Sequence, residues 1–456
     1  QDLDYEGNAP VLLDNMIPVY YDETSGSWKK ADQENITNKW YDYSNKMWAN
    51  AVTVSETNRA TYLSAEVGTE IAMEDINTMW VWIPRYKYTI FNANMSGAEV
   101  TNEQEIKIEF EIGTTSTGTV TCVDAINNED GTSEVCTDST YGEVTNGSST
   151  YTHPAFTFGD DELTGFWFAK FENSIDSSNN IIIKPDVLSW NNHTISTAFE
   201  YSRKMELQNN IYGFSSTATD YNATGELTGD TNNFDTHNIK NMEWGAVAYL
   251  TQSKYGRCTD GVCNEIYLNN SSDYYTGRSG GSTSASVSTY GTYSYDDYLI
   301  SSSNSKTVKS SGSGTGASTT GNIYGVYDMS GGLYEQVMGN IVTAGGGFYA
   351  GESGTWSTSL YPSLKYYDRY SIGLTYIDAA AYKRGKLGDA TKEVLKIAGI
   401  SGGWYSDHSI FSAYNYPWFG RGGSSAGSGA GVFTFSGMTG GASLDDGSRV
   451  ALIVEP

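Results

Sequence analysis

The chain is poor in the residues that many enzyme and metal sites require, and it has no long apolar segment. Only four cysteines and four histidines occur among 456 residues. A hydrolytic triad needs a histidine beside its nucleophile, and no Gly-x-Ser-x-Gly turn stands between a predicted strand and a predicted helix, so the sequence argues against such a hydrolase. No stretch of eighteen apolar residues is present, and no transmembrane helix is predicted.

Positive charge is also scarce. The chain has 27 lysines and arginines against 54 aspartates and glutamates, which gives a net charge of −27. Nucleic acids and anionic membrane surfaces attract cationic faces, so neither is an expected partner. The acidic residues are scattered through the sequence, a pattern that favours solubility.

The cysteines form two close pairs, Cys122 with Cys136 and Cys258 with Cys263. Both pairs lie in polar, turn-rich sequence, and disulfides commonly close short loops in exported proteins. Free thiols and a zinc site are the alternatives, although neither pair has the two-residue spacing of a zinc knuckle. We therefore expect two disulfides and an extracellular, cell-surface or virion-surface location.

Gly, Ser, Thr, Asn and Tyr are abundant, and 13% of the residues are aromatic. Aromatic side chains bury large areas, so this composition is that of a folded chain rather than a disordered one. Stretches rich in Ala, Glu, Lys and Leu are few, which argues against long helices. These features predict an α+β, β-rich protein with many loops.

The sequence divides into three predicted regions. Residues 1–20 read as an extended arm, because Pro10 and Pro18 bracket an apolar segment and proline disfavours helices and central strands. Residues 21–155 form a β-rich N-terminal region with a disulfide loop as an insertion, and residues 156–456 form the main domain. The arm either packs on its own domain or adds to the sheet edge of a neighbouring copy, which would allow a homopolymer.

Local patterns predict the main elements. Alternation and apolar runs predict strands at residues 80–88, 104–112, 163–172 and 181–185. Helices are predicted from a capping box at Thr197 to about Asn209, at residues 241–250, at residues 389–398 and after the turn near Gly325. The N-terminal tryptophans Trp40, Trp48, Trp80 and Trp82 are interpreted either as core residues or as a stacking platform for sugars.

Four motifs occur in order after residue 155. They are Met242-Glu243-Trp244-Gly245-Ala246-Val247-Ala248, Asn322-Ile323-Tyr324-Gly325-Val326-Tyr327-Asp328-Met329-Ser330-Gly331-Gly332-Leu333-Tyr334-Glu335, Trp418-Phe419-Gly420-Arg421-Gly422-Gly423-Ser424 and Gly447-Ser448-Arg449-Val450-Ala451. Together they resemble the formylglycine-generating-enzyme-like (sulfatase-modifying-factor) branch of the C-type lectin fold. The second motif departs from the family pattern at Gly332, where Asn is usual, and at Tyr334, where Trp is usual.

The resemblance implies a C-type lectin-like domain with a set of structural motif residues. These residues are Trp244, Asp328, Gly331, Glu335, Arg421, Gly422, Gly423 and Arg449. The oxidases of the family use cysteines close to the C-terminus, and the chain has none after Cys263, so a non-catalytic member is implied. Non-catalytic members include phage and bacterial variable proteins diversified by retroelements, whose variable residues lie between the Arg-Gly-Gly strand and the closing strand. The implied function is ligand or receptor binding.

Composition supports the same function independently, because residues 402–446 are rich in Gly, Ser, Tyr, Trp, Phe and Asn. Tyr and Trp supply rigid contact area, and Ser, Gly and Asn supply adaptable hydrogen bonds, as in antibody paratopes. The residues predicted on an exposed, ligand-binding face are Tyr405, Asp407, Phe411, Tyr414, Asn415, Tyr416, Ser424, Ser425 and Ser428. Trp404, Trp418 and Phe433 are predicted to be buried. The alternative is that the Gly and Ser residues form ordinary loops and the aromatic residues fill a core.

The predicted protein is a non-catalytic adhesin or receptor-binding protein whose partner is a glycan or a protein receptor. The alternatives are a structural subunit of a bacterial surface filament or pilus and, weakened by the missing cysteines, an enzyme. No cofactor is required, although calcium is a candidate because C-type lectin folds often hold it. Asp328 and Glu335 are expected to act as a structural latch that positions the strand at residues 421–424.

Overall fold

The structure is a computed structural model, and it describes most of the chain. The described residues are 7–93, 102–118, 120–122, 136–138, 142–230, 232–269, 271, 273–278, 314–342, 348–349, 356, 361–371, 382, 384–397, 399–425 and 429–456. Strands account for 30% and helices for 15%, so the protein belongs to the β-rich α+β class that the composition predicted.

The largest element is an antiparallel sheet of seven strands built from both halves of the chain. In spatial order its strands are Phe234–Asn238, Val450–Val454, Gly165–Ala169, Ile76–Pro84, Asn50–Val54, Ile17–Asp22 and Ser27–Lys30. The predicted boundary at residue 155 therefore separates strands that belong to one sheet, since Gly165–Ala169 pairs along its whole length with Ile76–Pro84. Both regions also contribute to one apolar core cluster.

A second sheet carries the C-terminal motifs. Its central strand, Tyr334–Ile341, pairs antiparallel with Trp418–Arg421 and parallel with Asp368–Tyr370 and Asp446–Gly447, and Phe435–Met438 extends it beyond Trp418–Arg421. The helix predicted after Gly325 is wrong, because residues 326–333 form an irregular segment with bends and Tyr334–Ile341 forms the central strand. The apolar residues Val326, Met329 and Leu333 of the irregular segment are buried, so their three-and-four spacing does not report a helix.

The described residues contain three α-helices: α1 (Glu56–Ser64), α2 (Ile195–Lys204) and α3 (Asn241–Thr251). Helix α3 confirms the prediction and is buried along its whole length. Helix α2 begins earlier than predicted, because the Thr194 side chain accepts a hydrogen bond from the Thr197 amide and caps the helix.

The helix predicted at residues 389–398 is wrong, although Ala398 lies outside the described residues. Only a short 3₁₀ turn, Lys392–Val394, forms there. Ala390 has a left-handed φ of 54°, which interrupts a right-handed helix, and Asp389 accepts a hydrogen bond from the Thr391 amide. Side chain-to-backbone bonding at Asp389 therefore replaces the helical ladder.

The remaining strands are short. A three-stranded sheet contains Tyr86–Thr89, Ile108–Phe110 and Thr150–Thr152, and another contains Val120–Cys122, Cys136–Asp138 and Gly142–Glu143. Two-stranded ribbons pair Thr157–Phe158 with Asp161–Glu162, Ser174–Ile175 with Ile181–Ile182, Asp220–Tyr221 with Leu227–Thr228 and Cys258–Thr259 with Val262–Cys263. The strand predicted at residues 80–88 is interrupted at Arg85, and that at residues 104–112 is limited to Ile108–Phe110.

The N-terminal tryptophans are core residues, since Trp40, Trp48, Trp80 and Trp82 are each at most 1% exposed. The described part of the arm packs on its own chain. Trp82 donates its indole N–H to the Asn8 carbonyl at 3.2 Å, and Trp167 donates to the Val11 carbonyl at 2.7 Å. The core interpretation is confirmed, and the sugar platform is not at these tryptophans.

One predicted disulfide is present, between Cys258 and Cys263. Cys122 and Cys136 lie opposite each other on paired strands, but their side chains are outside the described part of the chain, so the second disulfide stays a prediction. Within the described ranges, no helix is long and apolar enough to cross a membrane.

Candidate functional site

Glu335, one of the two acids of the predicted latch, forms a buried ion pair with Arg449. Both side chains are fully buried, and Arg449 Nε donates to Glu335 Oε2 at 2.8 Å while Nη2 donates to Oε1. The same guanidinium donates to the carbonyls of Ala169 at 2.9 Å and Tyr327 at 2.8 Å. Because Glu335 belongs to the second sheet and Arg449 directly precedes a strand of the first, this pair connects the two sheets.

Asp328 holds the turn that precedes this pair. Its backbone is left-handed, with φ 64°, and its carboxylate accepts hydrogen bonds from Asn269 Nδ2 at 2.8 Å and the Gly277 amide at 2.9 Å. Burial raises the pKa of Asp328, and the nearby Arg449 opposes that rise. Burial likewise raises the pKa of Glu335, again against the effect of Arg449. These acids have internal partners that explain their presence.

The glycines of the latch meet the third motif directly. The Gly331 amide donates to the Gly422 carbonyl at 3.0 Å, and the Ser425 amide donates to the Gly332 carbonyl at 2.8 Å. Gly331 and Gly332 both have left-handed φ values, 78° and 70°, which glycine adopts without strain. The turn thus fixes the end of the strand Trp418–Arg421, which ends at the residue where the predicted strand 421–424 begins.

Arg421 and Trp244 are also internal. Arg421 donates to Asn241 Oδ1 at 3.0 Å, to the Asp389 carbonyl at 3.1 Å and to the Ala390 carbonyl at 2.7 Å. Burial lowers its pKa to about 10. Trp244 donates its indole N–H to the Val432 carbonyl at 2.9 Å. Gly422 and Gly423 are buried at left-handed φ values, so these predicted motif residues occupy structural positions.

Three of the predicted contact residues form a turn at the surface, which we call the tyrosine turn: Tyr414, which is half-buried, Asn415 and Tyr416. Mutual backbone hydrogen bonds between Ala413 and Tyr416, at 2.8 and 3.1 Å, close it. Asn415 is exposed, and Tyr416 is 44% exposed. These three residues offer a hydroxyl-bearing aromatic surface with an amide at its centre.

A residue that the sequence did not indicate, Tyr349, extends the tyrosine turn. Its ring lies 5.1 Å from that of Tyr414. Its amide donates to Asn340 Oδ1 at 3.0 Å, and Asn340 Nδ2 donates back to its carbonyl at 2.7 Å. Asn340 lies in the central strand of the second sheet, so Tyr349 is fixed to a rigid element. No local pattern around Tyr349 distinguishes it, because its role depends on a contact 65 positions away in the sequence (349 to 414).

Three residues predicted on the exposed face are buried instead, and that expectation is wrong for them: Asp407, Phe411 and Ser425. Asp407 accepts a hydrogen bond from the Phe433 amide at 3.0 Å, and burial raises the pKa of its carboxyl group well above the usual range. Phe411 packs edge-on against Phe419 with ring centres 5.1 Å apart. Its apolar ring and the Asp407 carboxyl therefore belong to the interior.

Tyr405 is half-buried and does not join the tyrosine turn by any described hydrogen bond or ring contact. Its hydroxyl donates to Gln252 Oε1 at 3.2 Å, and its ring stacks on Phe433 at 6.2 Å. Ser424 is half-buried, and Ser428 lies outside the described residues. Trp404, Trp418 and Phe433 are fully buried, as predicted.

Three of the four histidines, His153, His193 and His237, are buried. His237 contacts the carboxylates of Asp235 and Glu243, each at 2.7 Å, and this arrangement raises its pKa to about 9 against the effect of burial. His193 Nε2 lies 3.2 Å from Ser448 Oγ, but both are buried, and no described carboxylate contacts His193 Nδ1. Among the described residues, no group of three or more His, Cys, Asp or Glu side chains is placed to hold a metal ion.

Comparison with known proteins adds no relative. The chain matches no model of a known protein family and no curated protein sequence. The family resemblance therefore depends on the four motifs alone.

Proposed function

We propose that this protein is an extracellular or surface-displayed binding protein whose C-terminal region is a non-catalytic, C-type lectin-like domain of the formylglycine-generating-enzyme-like type. The observation that carries the proposal is the tyrosine turn. It places Tyr414, Asn415 and Tyr416 at the surface, next to Tyr349, within the sequence region where the related variable proteins diversify. A glycan or a protein receptor is the proposed ligand.

The rigidity of the turn supports binding. The ring contact with Tyr349 and the paired hydrogen bonds between Tyr349 and Asn340 connect the aromatic surface to the second sheet. Rings that are already ordered lose little conformational entropy when a ligand binds, and their hydroxyl groups provide hydrogen bonds. Stacking and hydrogen bonding are sufficient for this function, and no covalent step is involved.

Two further observations support the proposed setting. The motif residues Glu335, Arg449 and Arg421 have internal partners, which is consistent with a structural rather than catalytic use of the signature. The Cys258–Cys263 disulfide is typical of proteins in an oxidising, extracytoplasmic compartment. The net charge of −27 disfavours nucleic acid as the ligand.

A glycan array probed with the whole protein tests the proposal. We expect the double variant Tyr414→Ala, Tyr416→Ala to lose binding of about tenfold or more, because each stacked aromatic contributes about 1 kcal/mol or more. The matched control is Tyr20→Ala, Tyr221→Ala, two half-buried tyrosines outside residues 402–446. An array of immobilised cell-surface proteins covers the receptor alternative. Full binding by the first double variant, with its fold intact, would refute the assignment.

A filament subunit is the second proposal. It requires contacts between copies, and the described part of the arm makes its contacts within the chain through Asn8 and Val11. The binding proposal is preferred for that reason. Electron microscopy of the purified protein separates the two, because ordered filaments would favour the subunit and dispersed particles that bind a ligand would favour the adhesin.

A further inference from the structure

A polar cleft of about 710 Å³ opens beside helix α1, away from the tyrosine turn in sequence. The charged residues that line it are Glu56, Arg59, Glu74, Asp75, Asp176 and Lys184. None of them belongs to residues 402–446. The volume is within the range of small-molecule binding sites.

The cleft has a preformed wall, the loop at residues 209–215. Asn77 Nδ2 donates to the Ile211 carbonyl at 3.0 Å, and Asn15 Nδ2 donates to the Gly213 carbonyl at 2.5 Å. Asn210 ties the loop internally by donating to the Phe214 carbonyl at 2.8 Å. These bonds fix the loop to the first sheet and to the arm, so a ligand would meet an ordered surface.

Arg59 of helix α1 supplies a cation with unused hydrogen-bond donors. Its Nη2 donates to the carbonyls of Val54 at 3.1 Å and Ile211 at 2.7 Å. Its buried Nε donates to no described residue. Burial lowers the pKa of Arg59, and the charge of Glu56, three positions earlier in α1, opposes that change. Gly213, at φ 80°, allows this approach, since a Cβ there would lie 2.5 Å from Arg59 Nε. A guanidinium in this condition is suited to a ligand carboxylate.

The acids of the cleft fall into two classes. Asp75 accepts hydrogen bonds from Asn58 Nδ2 at 2.8 Å and the Tyr62 hydroxyl at 2.5 Å, and Asp176 accepts the Ser178 and Asn180 amides, each at 2.8 Å. These two carboxylates therefore already accept hydrogen bonds from groups within the protein. Glu56 and Glu74 are exposed, and the charge of Glu56 acts on Arg59. A second cation, Lys184, also lines the cleft, and its Nζ donates to the Met73 carbonyl at 2.8 Å. The cleft therefore presents two exposed carboxylates together with two cations.

We propose that this cleft binds a zwitterionic small molecule, whose carboxylate contacts Arg59 and whose ammonium group contacts Glu56 and Glu74. A ligand with negative charge alone would meet four carboxylates in the lining, and a ligand with positive charge alone would meet Arg59 and Lys184. A zwitterion satisfies both sets of groups. A free amino acid and a short peptide with both termini share this chemistry.

Isothermal titration calorimetry on the whole chain tests this proposal with four probes: glycine, glycylglycine, acetate and methylammonium. We expect at least one of the two zwitterions to bind, and each singly charged probe to bind about tenfold or more weakly, since each loses one charge-assisted contact. Preference for glycine assigns the free amino acid, and preference for glycylglycine assigns the peptide. The proposal would be overturned if neither zwitterion binds, or if acetate binds as tightly as the zwitterions do.

Variants locate the binding. Arg59→Gln is expected to weaken zwitterion binding about tenfold or more, whereas Arg369→Gln, which removes the same charge at an exposed position of another sheet, leaves it unchanged. Because Arg59 also bonds to backbone carbonyls, Glu74→Gln provides a second test at an exposed side chain without structural contacts. Unchanged zwitterion binding in both variants would sink the proposal. Glycan or receptor binding by the tyrosine turn is independent of either result.

Discussion

Glu335 and Arg449 form a fully buried ion pair that connects the two main sheets of the protein. Arg449 extends the connection by donating to the carbonyls of Ala169 and Tyr327. Removal of one member of a buried pair leaves the other without compensation in a medium of low dielectric constant. The pair is therefore important for folding, and it lies away from the exposed tyrosine turn.

The first prediction concerns this pair. Glu335→Ala should lower the free energy of unfolding by about 3–5 kcal/mol, because Arg449 would remain buried without its carboxylate. Urea denaturation of both proteins measures the loss. Any variant protein that folds at low temperature should still bind the ligand of the tyrosine turn, so a stable Glu335→Ala protein without binding would contradict the structural role.

A second prediction concerns Gly332, where the proteins that the motif resembles usually carry Asn. Gly332 has φ 70°, and a Cβ there would lie 2.5 Å from Glu172 Oε1. Gly147 has a similar φ of 77° with nothing within 4 Å of its Cβ position. Both Gly→Ala changes incur left-handed strain of about 1–2 kcal/mol, and Gly332→Ala adds the displacement of Glu172.

The two variants are compared by thermal and urea unfolding. Gly332→Ala should be the less stable by about 1 kcal/mol or more. If the two substitutions had equal cost, the contact between Gly332 and Glu172 would not explain the departure from the family pattern.

Elements with a strong local signal could be predicted from the sequence, and elements defined by distant contacts could not. The sequence of helix α3 carries such a signal. The resemblance of the four motifs also implied structural roles for Arg421 and Arg449. A helix was predicted after Gly325 because Val326, Met329 and Leu333 are three and four positions apart, but these residues are buried from an irregular segment that leads into the strand Tyr334–Ile341.

The candidate site was predicted only in part for a similar reason. Residues 404–416 contain short irregular turns, and Tyr405 and Ser406 have left-handed φ values of 59° and 65°. In such backbone no period separates inward from outward side chains, so composition could not show that Asp407 and Phe411 are buried. Tyr349 joins the site through Asn340 and Tyr414, and these contacts have no local sequence signal.

A third prediction concerns pH. Burial raises the pKa of Glu393 to about 8, although its carboxylate accepts hydrogen bonds from Tyr249 Oη at 2.5 Å and the Gly388 amide at 2.7 Å. A carboxyl group whose pKa is raised on folding contributes stability that is complete below its ordinary pKa and is lost as the pH rises through the folded value. The contribution of Glu393 should therefore decline between about pH 4.5 and about pH 8.

Glu393→Gln removes this titration. The free energy of unfolding of the variant, minus that of wild type, should therefore increase from about pH 5 to about pH 8. The increase should be on the order of a few kcal/mol. Urea denaturation at the two pH values gives the difference, and Glu66→Gln at an exposed position serves as the control. A pH-independent difference between wild type and Glu393→Gln would show that Glu393 does not titrate in this range.

The last prediction concerns the division of the chain at residue 155. A fragment of residues 156–456 lacks the strand Ile76–Pro84, which pairs with all five residues of Gly165–Ala169. The fragment would expose the backbone of that strand together with buried side chains such as Trp167. We expect it to show no cooperative urea transition, and we expect co-expression with residues 1–155 to restore one. A fragment that unfolds cooperatively on its own would show that the C-terminal region is an independent domain, despite the sheet that it shares with the N-terminal region.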